Sequence, residues 1–503
     1  MYLTYWYRRR RLFVKTASTE VDAASGRTRS PGLIVAILGF SGLCVALMQS
    51  LVIPIQSELP HLLHTSASNS SWVLTATLLG GAVAMPVAGR LADILGKRPV
   101  LVVSALLLLV GSLVCALSSA LVPVLIGRVL QGVAMGYIPV AVSFVREVVP
   151  ARMVNSATAL ISATLGVGGA LGLPLAAWLA QDYDWHVLFW MSTVLAVLMT
   201  ALSALALPHI RDTHAAHLDI VGAVGLALGL VAVLVGVSKG NDWGWRSAGT
   251  LGMIVAGVVV LLAWGWYELR HHDPLVDLRN TVRRPVLLTN IAALLIGFGM
   301  MAQSIVVPQL LEMSKQTGYG LGQTLLAAGL WLAPAGLMMM FFAPVSSYLL
   351  TKFGGRTALT LGAAVLALGY VIGAVLLHAP WQLMLASCVA SAGVGIGYAA
   401  MPTIILENVP ASEAASSVGV NSLMRSVGTT IAGAVMAVVL TSQTSRLGPG
   451  LPEIPTLNAF RLCFIVGAVA AAVGAAFAFC VPGRRAGADE VTVAAEPVAE
   501  AVG

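Results

Sequence analysis

The decapeptide Gly89-Arg90-Leu91-Ala92-Asp93-Ile94-Leu95-Gly96-Lys97-Arg98 separates two long apolar runs, and its reading decides the fold. Gly89 and Gly96 let a short segment turn tightly between two helix ends. Asp93, close to Lys97 and Arg98, supplies a charge network at the same membrane face. A weaker copy, Ser347-Tyr348-Leu349-Leu350-Thr351-Lys352-Phe353-Gly354-Gly355-Arg356, follows later in the chain. The two copies occupy equivalent places after the second helix of two six-helix groups, so the chain reads as two tandem bundles from one ancestral unit.

The surrounding composition fits a lipid solvent. Of 503 residues, 58% are apolar and 10% charged, too few charges for a water-exposed surface around so large a core. Taking roughly 20 apolar residues per crossing, spans are expected near 32–55, 71–89, 99–118, 121–143, 157–180 and 186–207, then 218–238 and 248–267, then 286–310, 323–350, 357–377, 381–403, 424–442 and 460–481. The expected fold is thus an all-α integral membrane protein of fourteen helices, two six-helix bundles with two additional central helices. The bundles occupy 32–207 and 286–482, the two-helix insertion 208–285, a basic arm 1–31 and a disordered tail 483–503.

Lysine and arginine set the orientation. The segments Arg90–Arg98, Arg146–Arg152, Arg270–Arg284 and Lys352–Arg356 and the tail at Arg484 and Arg485 fall on one side, which the positive-inside rule makes cytoplasmic. Both termini are then expected in the cytosol, the arm with Arg8–Arg11 being uncleaved. Arginine outweighs lysine and alanine is abundant, which suggests a GC-rich bacterial genome and so a multi-pass protein of the bacterial plasma membrane. The net charge of +7 is spread over many loops and does not point to nucleic acid. The partners expected are a small organic substrate, protons and the bilayer, with the protein a monomer.

Residues 89–98 resemble the signature of the major facilitator superfamily, G-x-L-a-D-r-x-G-r-k, with Gly89, Leu91, Ala92, Asp93, Gly96, Lys97 and Arg98 in agreement and Ile94 in place of a basic residue. The fourteen-span layout resembles that family's drug:proton antiporters of the multidrug efflux type. The resemblance implies a gating role in which Asp93 binds the inner helix ends of the other bundle. It also gives Arg128 a role: Leu125-Ile-Gly-Arg128-Val-Leu-Gln131-Gly132 resembles the antiporter motif l-x-x-x-R-x-x-q-G, whose arginine is associated with proton coupling. Residues 166–177, with Gly168, Gly172 and Pro174, resemble the antiporter pattern g-x-x-x-G-P-x-x-G-G, the proline standing one position late. Small residues four apart and a mid-membrane proline predict close helix packing with a bend.

On its own chemistry, a guanidinium inside a membrane helix costs several kcal/mol unless it faces acceptors. Arg128 is read as the one basic residue well inside a span. Gln131 shares its helix surface, and Gln49 of the first span is expected in the same polar cluster. A proton carrier needs a titratable group that alternates between two environments. Val45 stands where related antiporters carry a first-span aspartate, which leaves Glu58 and Glu312, with Glu407, as carboxylate candidates. A pocket for amphipathic compounds is largely apolar with a few polar groups; Gln49, Tyr137, Met300, Met301, Gln303 and Tyr398 are its candidates, methionine suiting adaptable surfaces.

Other chemistry is not signalled. There is no G-x-x-x-x-G-K-[ST] loop for an ATP-driven pump, the five cysteines lack CxxC spacing, and the His61/His64, His214/His217 and His271-His272-Asp273 groups lack a metal-ligand pattern. No cofactor, metal or enzymatic reaction is expected. The function expected is secondary active export of amphipathic drugs, antibiotics or dyes by alternating access in exchange for protons. The alternative is a proton-coupled symporter or facilitator for a specific metabolite on the same fold.

Overall fold

The computed structural model describes residues 30–56, 58–210, 217–446 and 453–482. The basic arm up to residue 29, His214 and the tail from 483 onward lie outside them. Among the described residues thirteen helices are long and apolar enough to cross a membrane. The longest, Leu325–Val375, has 51 residues, about 77 Å at 1.5 Å per residue and more than twice an apolar layer of ~30 Å. Gly354, at φ 80° and ψ 170°, breaks it, so it makes two crossings and the total is fourteen.

The helices are α1 Pro31–Ser50, α2 Trp72–Leu95, α3 Lys97–Ala116, α4 Leu121–Val148, α5 Ala151–Asp182 and α6 His186–Ala206, followed by the central pair α7 Ile220–Trp243 and α8 Ala248–Glu268. The last six crossings are carried by α9 Arg284–Glu312, by α10 Leu325–Phe341 and α11 Ala343–Val375, which run on from one another and are divided into two crossings at Gly354 within α11, and by α12 Pro380–Asn408, α13 Ala414–Ser442 and α14 Leu457–Phe479. Starts follow local chemistry: Ser30, Asp219, Ser247, Thr324 and Thr456 each accept a bond from a backbone N–H of the first turn.

The repeat read in the sequence is also a repeat of backbone shape. Gly96, between α2 and α3, has φ 91° and ψ 152°, the counterpart of Gly354. Both dihedral pairs lie where a Cβ is strained, so glycine at each position sets the break.

Two apolar cores follow the two halves. One is built mainly from residues of α1 to α6, such as Leu38, Leu101, Leu108, Val140 and Leu188, and the other mainly from α9 to α14, such as Ile296, Leu359, Leu366, Met401 and Phe460. A third, smaller cluster holds the central pair in place. Leu226, Leu230 and Leu234 of α7 pack on Ala82 of α2 and on Val420 and Leu423 of α13, with Leu275 and Val276 of the following linker. The helix α7 therefore lies along the seam between α2 and α13, while α8 turns Leu251, Val255, Val258 and Leu262 outward, as a lipid-facing helix does.

One boundary differs in a way that matters. A start near 424 was expected for the thirteenth span, yet α13 begins at Ala414. Ser416, Asn421, Ser422 and Arg425 are buried in it, Ser416 and Asn421 bonded to Asp93 and Asn290 of other helices and Ser422 and Arg425 to each other, so their polarity did not mark a loop.

Candidate functional site

The two halves meet at the end of the bundle that carries Asp93. Asp93 lies in the last turn of α2, 4% exposed, and its carboxylate reaches the first turn of α13. Ala415 N donates to Oδ1 at 3.0 Å and Ser416 N to Oδ2 at 2.8 Å. The first amides of a helix lack intrahelical acceptors and carry the positive end of its dipole, so a carboxylate there is well placed. Glu413, at the cap position of α13, makes no capping bond with its own side chain; Asp93 from the other half does that work.

Gly89 makes the approach possible. A Cβ built on it would lie 2.4 Å from Ala415 O, and one on Gly419 would lie 2.4 Å from Met85 O, so backbone sits on backbone. Gly89→Ala is expected to hold α2 and α13 apart by several tenths of an ångström and to weaken the Asp93 bonds. The check is the rate at which a cysteine at Val418, buried against the first half, reacts with a thiol reagent; a rate unchanged from Gly89 protein would contradict this.

Other contacts close the same end. Arg146 donates to Leu406 O, Asn155 Nδ2 to Thr351 Oγ1 at 3.3 Å, and Asn280 Nδ2, from the linker after α8, to Glu413 Oε2 at 2.6 Å. The expected charge network is only partly formed. Lys97 Nζ is 4.0 Å from Asp93 but pairs more closely with Glu147. Arg98 leaves the network, because its guanidinium donates to Ala204 O at 2.6 Å. A cavity of about 230 Å³ beside Asp93 is lined by Arg90, His272, Asp273, Asp277 and Glu413 among others.

The first half contains a second polar centre. Arg128 is 1% exposed; its Nε donates to Val73 O at 3.1 Å, and Nη1 to Gln131 Oε1 at 2.7 Å and to Met48 O at 3.4 Å. Gln131 Nε2 donates in turn to Ser112 Oγ at 2.9 Å. Arg128 thus ties α4 to α1 and α2, Gln131 carries the link on to α3, and Arg128 Nη2 is buried without a partner. Gln49, half-buried, is not among these partners: the first span contributes the carbonyl of Met48, whose main chain faces α4, in place of the Gln49 side chain.

The glycines of α5 are packing residues with two faces. A Cβ on Gly168 would lie 2.4 Å from Ala46 Cβ and one on Gly172 1.9 Å from Ser50 Oγ, both on α1, whereas Pro174 meets Gly329 of α10 in the other half.

Other candidates are placed differently from the expectation. Tyr137 is fully buried inside the first half, its hydroxyl 3.1 Å from Ser203 Oγ, and lines no space between the halves. Gln303 packs within the second half toward Ser387 and Phe464. Met300 and Met301 are half-buried against the second core. Glu58, Glu312 and Glu407 are exposed near helix ends, and none approaches Arg128. Lys239, in the last two turns of α7, is 2% exposed and bonded to Ser68 O at 3.1 Å and Asp242 Oδ2 at 3.0 Å, above the Trp72 ring.

Arg128 is not the only guanidinium set deep in a membrane helix. Arg425 of α13 is 9% exposed. Its Nη1 donates to Asn421 Oδ1 at 3.1 Å and its Nη2 to Ser422 Oγ at 3.0 Å, with Cζ 4.4 Å from the centre of the Tyr398 ring. Tyr398, expected as a pocket residue, is buried beneath it. The signal was the apolar, small-residue pattern continuing on both sides of Arg425 in 414–442.

Comparison with known proteins gives a consistent result. Residues 38–433 match the Major Facilitator Superfamily. The multidrug transporter protein MdtP of Bacillus subtilis is 23% identical over 435 residues, 84% of this chain and 78% of that protein. The uncharacterized MFS-type transporter Rv1877 of Mycobacterium tuberculosis is 28% identical over 365 residues, 71% of this chain and 52% of that one, so the match spans about half its length. Among solved structures, the proton:xylose symporter XylE superposes with a TM-score of 0.61 at 15% identity, over 90% of this chain and 96% of that chain, a likeness of fold alone.

Proposed function

Because the chain belongs to the Major Facilitator Superfamily, a family of multi-pass membrane transporters, we propose that it exports small amphipathic compounds by alternating access, in exchange for protons. The observation that carries the reading is the Asp93 carboxylate bound to the first amides of α13. It is a polar, non-covalent bond between the two halves at one end of the molecule, the kind of contact that a gate between rocking bundles makes and breaks. With lysine and arginine concentrated at that end, we place it on the cytoplasmic side of a bacterial plasma membrane, with both termini inside. The gate then closes toward the cytosol.

The export direction is supported by the Arg128–Gln131 motif and the glycine-rich face of α5, and by the multidrug transporter named among the relatives. Arg128, with Nη2 unpartnered, is the residue to which we assign coupling. A second reading, a symporter or facilitator for one metabolite, is favoured by a single feature: α1 contains no acid. The experiment is transport into vesicles across a panel of dyes and drugs under an imposed pH gradient. Export predicts substrate movement opposite to the proton flux, with several compounds carried; movement of one metabolite along with protons would replace this reading by the second.

A further inference from the structure

We infer that the compounds exported are amphipathic anions and that Arg425 receives their acidic group; the inference rests on the export reading above. Arg425 is eleven residues from Ala414 and seventeen from Ser442, the ends of α13. That puts it about 16 Å along the helix, near the middle of an apolar layer of ~30 Å. Its acceptors, Asn421 Oδ1 and Ser422 Oγ, are neutral, as is the Tyr398 ring it covers. Asn421 is oriented by its own bond, Nδ2 to Asn290 Oδ1 of α9 at 2.9 Å. Three helices of the second half thus hold the planar fork, and among the described residues no carboxylate lies within 4.0 Å of it.

A guanidinium at that depth without a counter-charge is costly to keep. Its position gives the charge a use. Arg425 is on the helix that meets the first half: nearly two turns before it Gly419 abuts Met85, and beside it Ser426 Oγ is 3.7 Å from Met85 Sδ. Parting the halves at the Asp93 end uncovers this stretch of α13 to whatever enters from that side. The deepest charge of the other half is Arg128, also without a carboxylate partner. The acids of the described membrane helices, Asp93, Glu147, Asp182, Asp242, Glu268, Glu312 and Glu407, all lie near helix ends, and α1 holds none.

The field set by the deepest charge of each half is consequently positive. Such a field repels an organic cation and draws in a carboxylate or sulfonate, which the arginine fork binds through two parallel bonds. The Tyr398 ring below supplies an apolar wall for the rest of the molecule. A buried acid would favour cations and a buried arginine favours anions, so one substrate class accounts for both the arginine that is present and the mid-helix carboxylate that is not, among the described residues.

The test uses the full chain in liposomes with two anions, taurocholate and carboxyfluorescein, against two cations, tetraphenylphosphonium and ethidium. The wild type is expected to move both anions at least tenfold faster than the cations. Arg425→Gln, checked for wild-type elution in detergent, is expected to lose at least tenfold in anion transport, and Arg425→Lys to keep the preference for anions at a lower rate. Transport of the cations without the anions overturns the inference and leaves export standing. Transport of none of the four overturns both, and anion transport unchanged in Arg425→Gln overturns the role of Arg425. Should the glutamine variant fail to fold, the wild-type comparison and the lysine variant decide.

Discussion

Replacing Asp93 by alanine is expected to reduce gradient-driven transport by about a hundredfold while leaving the protein in the membrane. The side chain makes two charge-assisted bonds to Ala415 N and Ser416 N, and bonds to charged groups are worth about 1.5–3 kcal/mol each. Loss of both removes about 3 kcal/mol or more from the state in which the Asp93 end is shut, on the order of a hundredfold in the population of the two states. Neither half loses packing, because the carboxylate sits between them. Asp93→Asn is expected to fall nearly as far: an amide oxygen accepts from one of the two N–H groups and the amide nitrogen, a donor, faces the other. Turnover in proteoliposomes gives the first number. Reaction of a cysteine at Val418 with a reagent added from the side of the Asp93 end gives the second, and it should rise. Full transport with Asp93→Ala would remove the gating role.

Arg128→Lys is expected to yield a folded protein with transport reduced by about a hundredfold. Arginine reaches Val73 O, Met48 O and Gln131 Oε1 at once because its donors are spread over a planar fork; lysine brings one ammonium and must leave some of these acceptors unpaired. Charge is kept, so expression should stay near wild type. Arg128→Ala is expected to be worse on both counts, since a void is left in a helix junction and Gln131 Oε1 and Met48 O lose this donor while Val73 O keeps Thr77 Oγ1, each unpaired group costing about 1–3 kcal/mol. Thermal unfolding in detergent separates the two effects: a lysine variant with wild-type stability and wild-type export would leave Arg128 only a structural role.

The membrane fold was legible because the apolar runs are long and because two glycine-marked turns repeat. Gly96 and Gly354 stand where the backbone leaves the helical region, and the pairing of Asp93 with a helix end of the other half follows from the signature around it. What was not legible depends on contacts across helices. The first ten residues of α13 look like a loop because Ser416, Asn421 and Ser422 are polar, but their partners, Asp93, Asn290 and Arg425, come from α2, α9 and the next turn. A one-dimensional reading of polarity misplaces such a helix start and with it the depth of Arg425. Likewise Gln49 is polar and at a depth similar to Arg128, yet the acceptor used is a main-chain carbonyl one residue earlier, which no side-chain pattern reports. Tyr137 and Gln303 were chosen for polarity at the right depth, whereas each points into its own half.

The first turn of α13 has one further implication. Its amides are completed by a residue more than three hundred positions earlier, so the end of that helix is whole only while the two halves touch. Whenever they separate, two N–H groups must be rehydrated and the turn is free to fray. The molecule without cargo therefore carries a built-in restoring force: winding up the end of one helix and returning to rest are a single equilibrium.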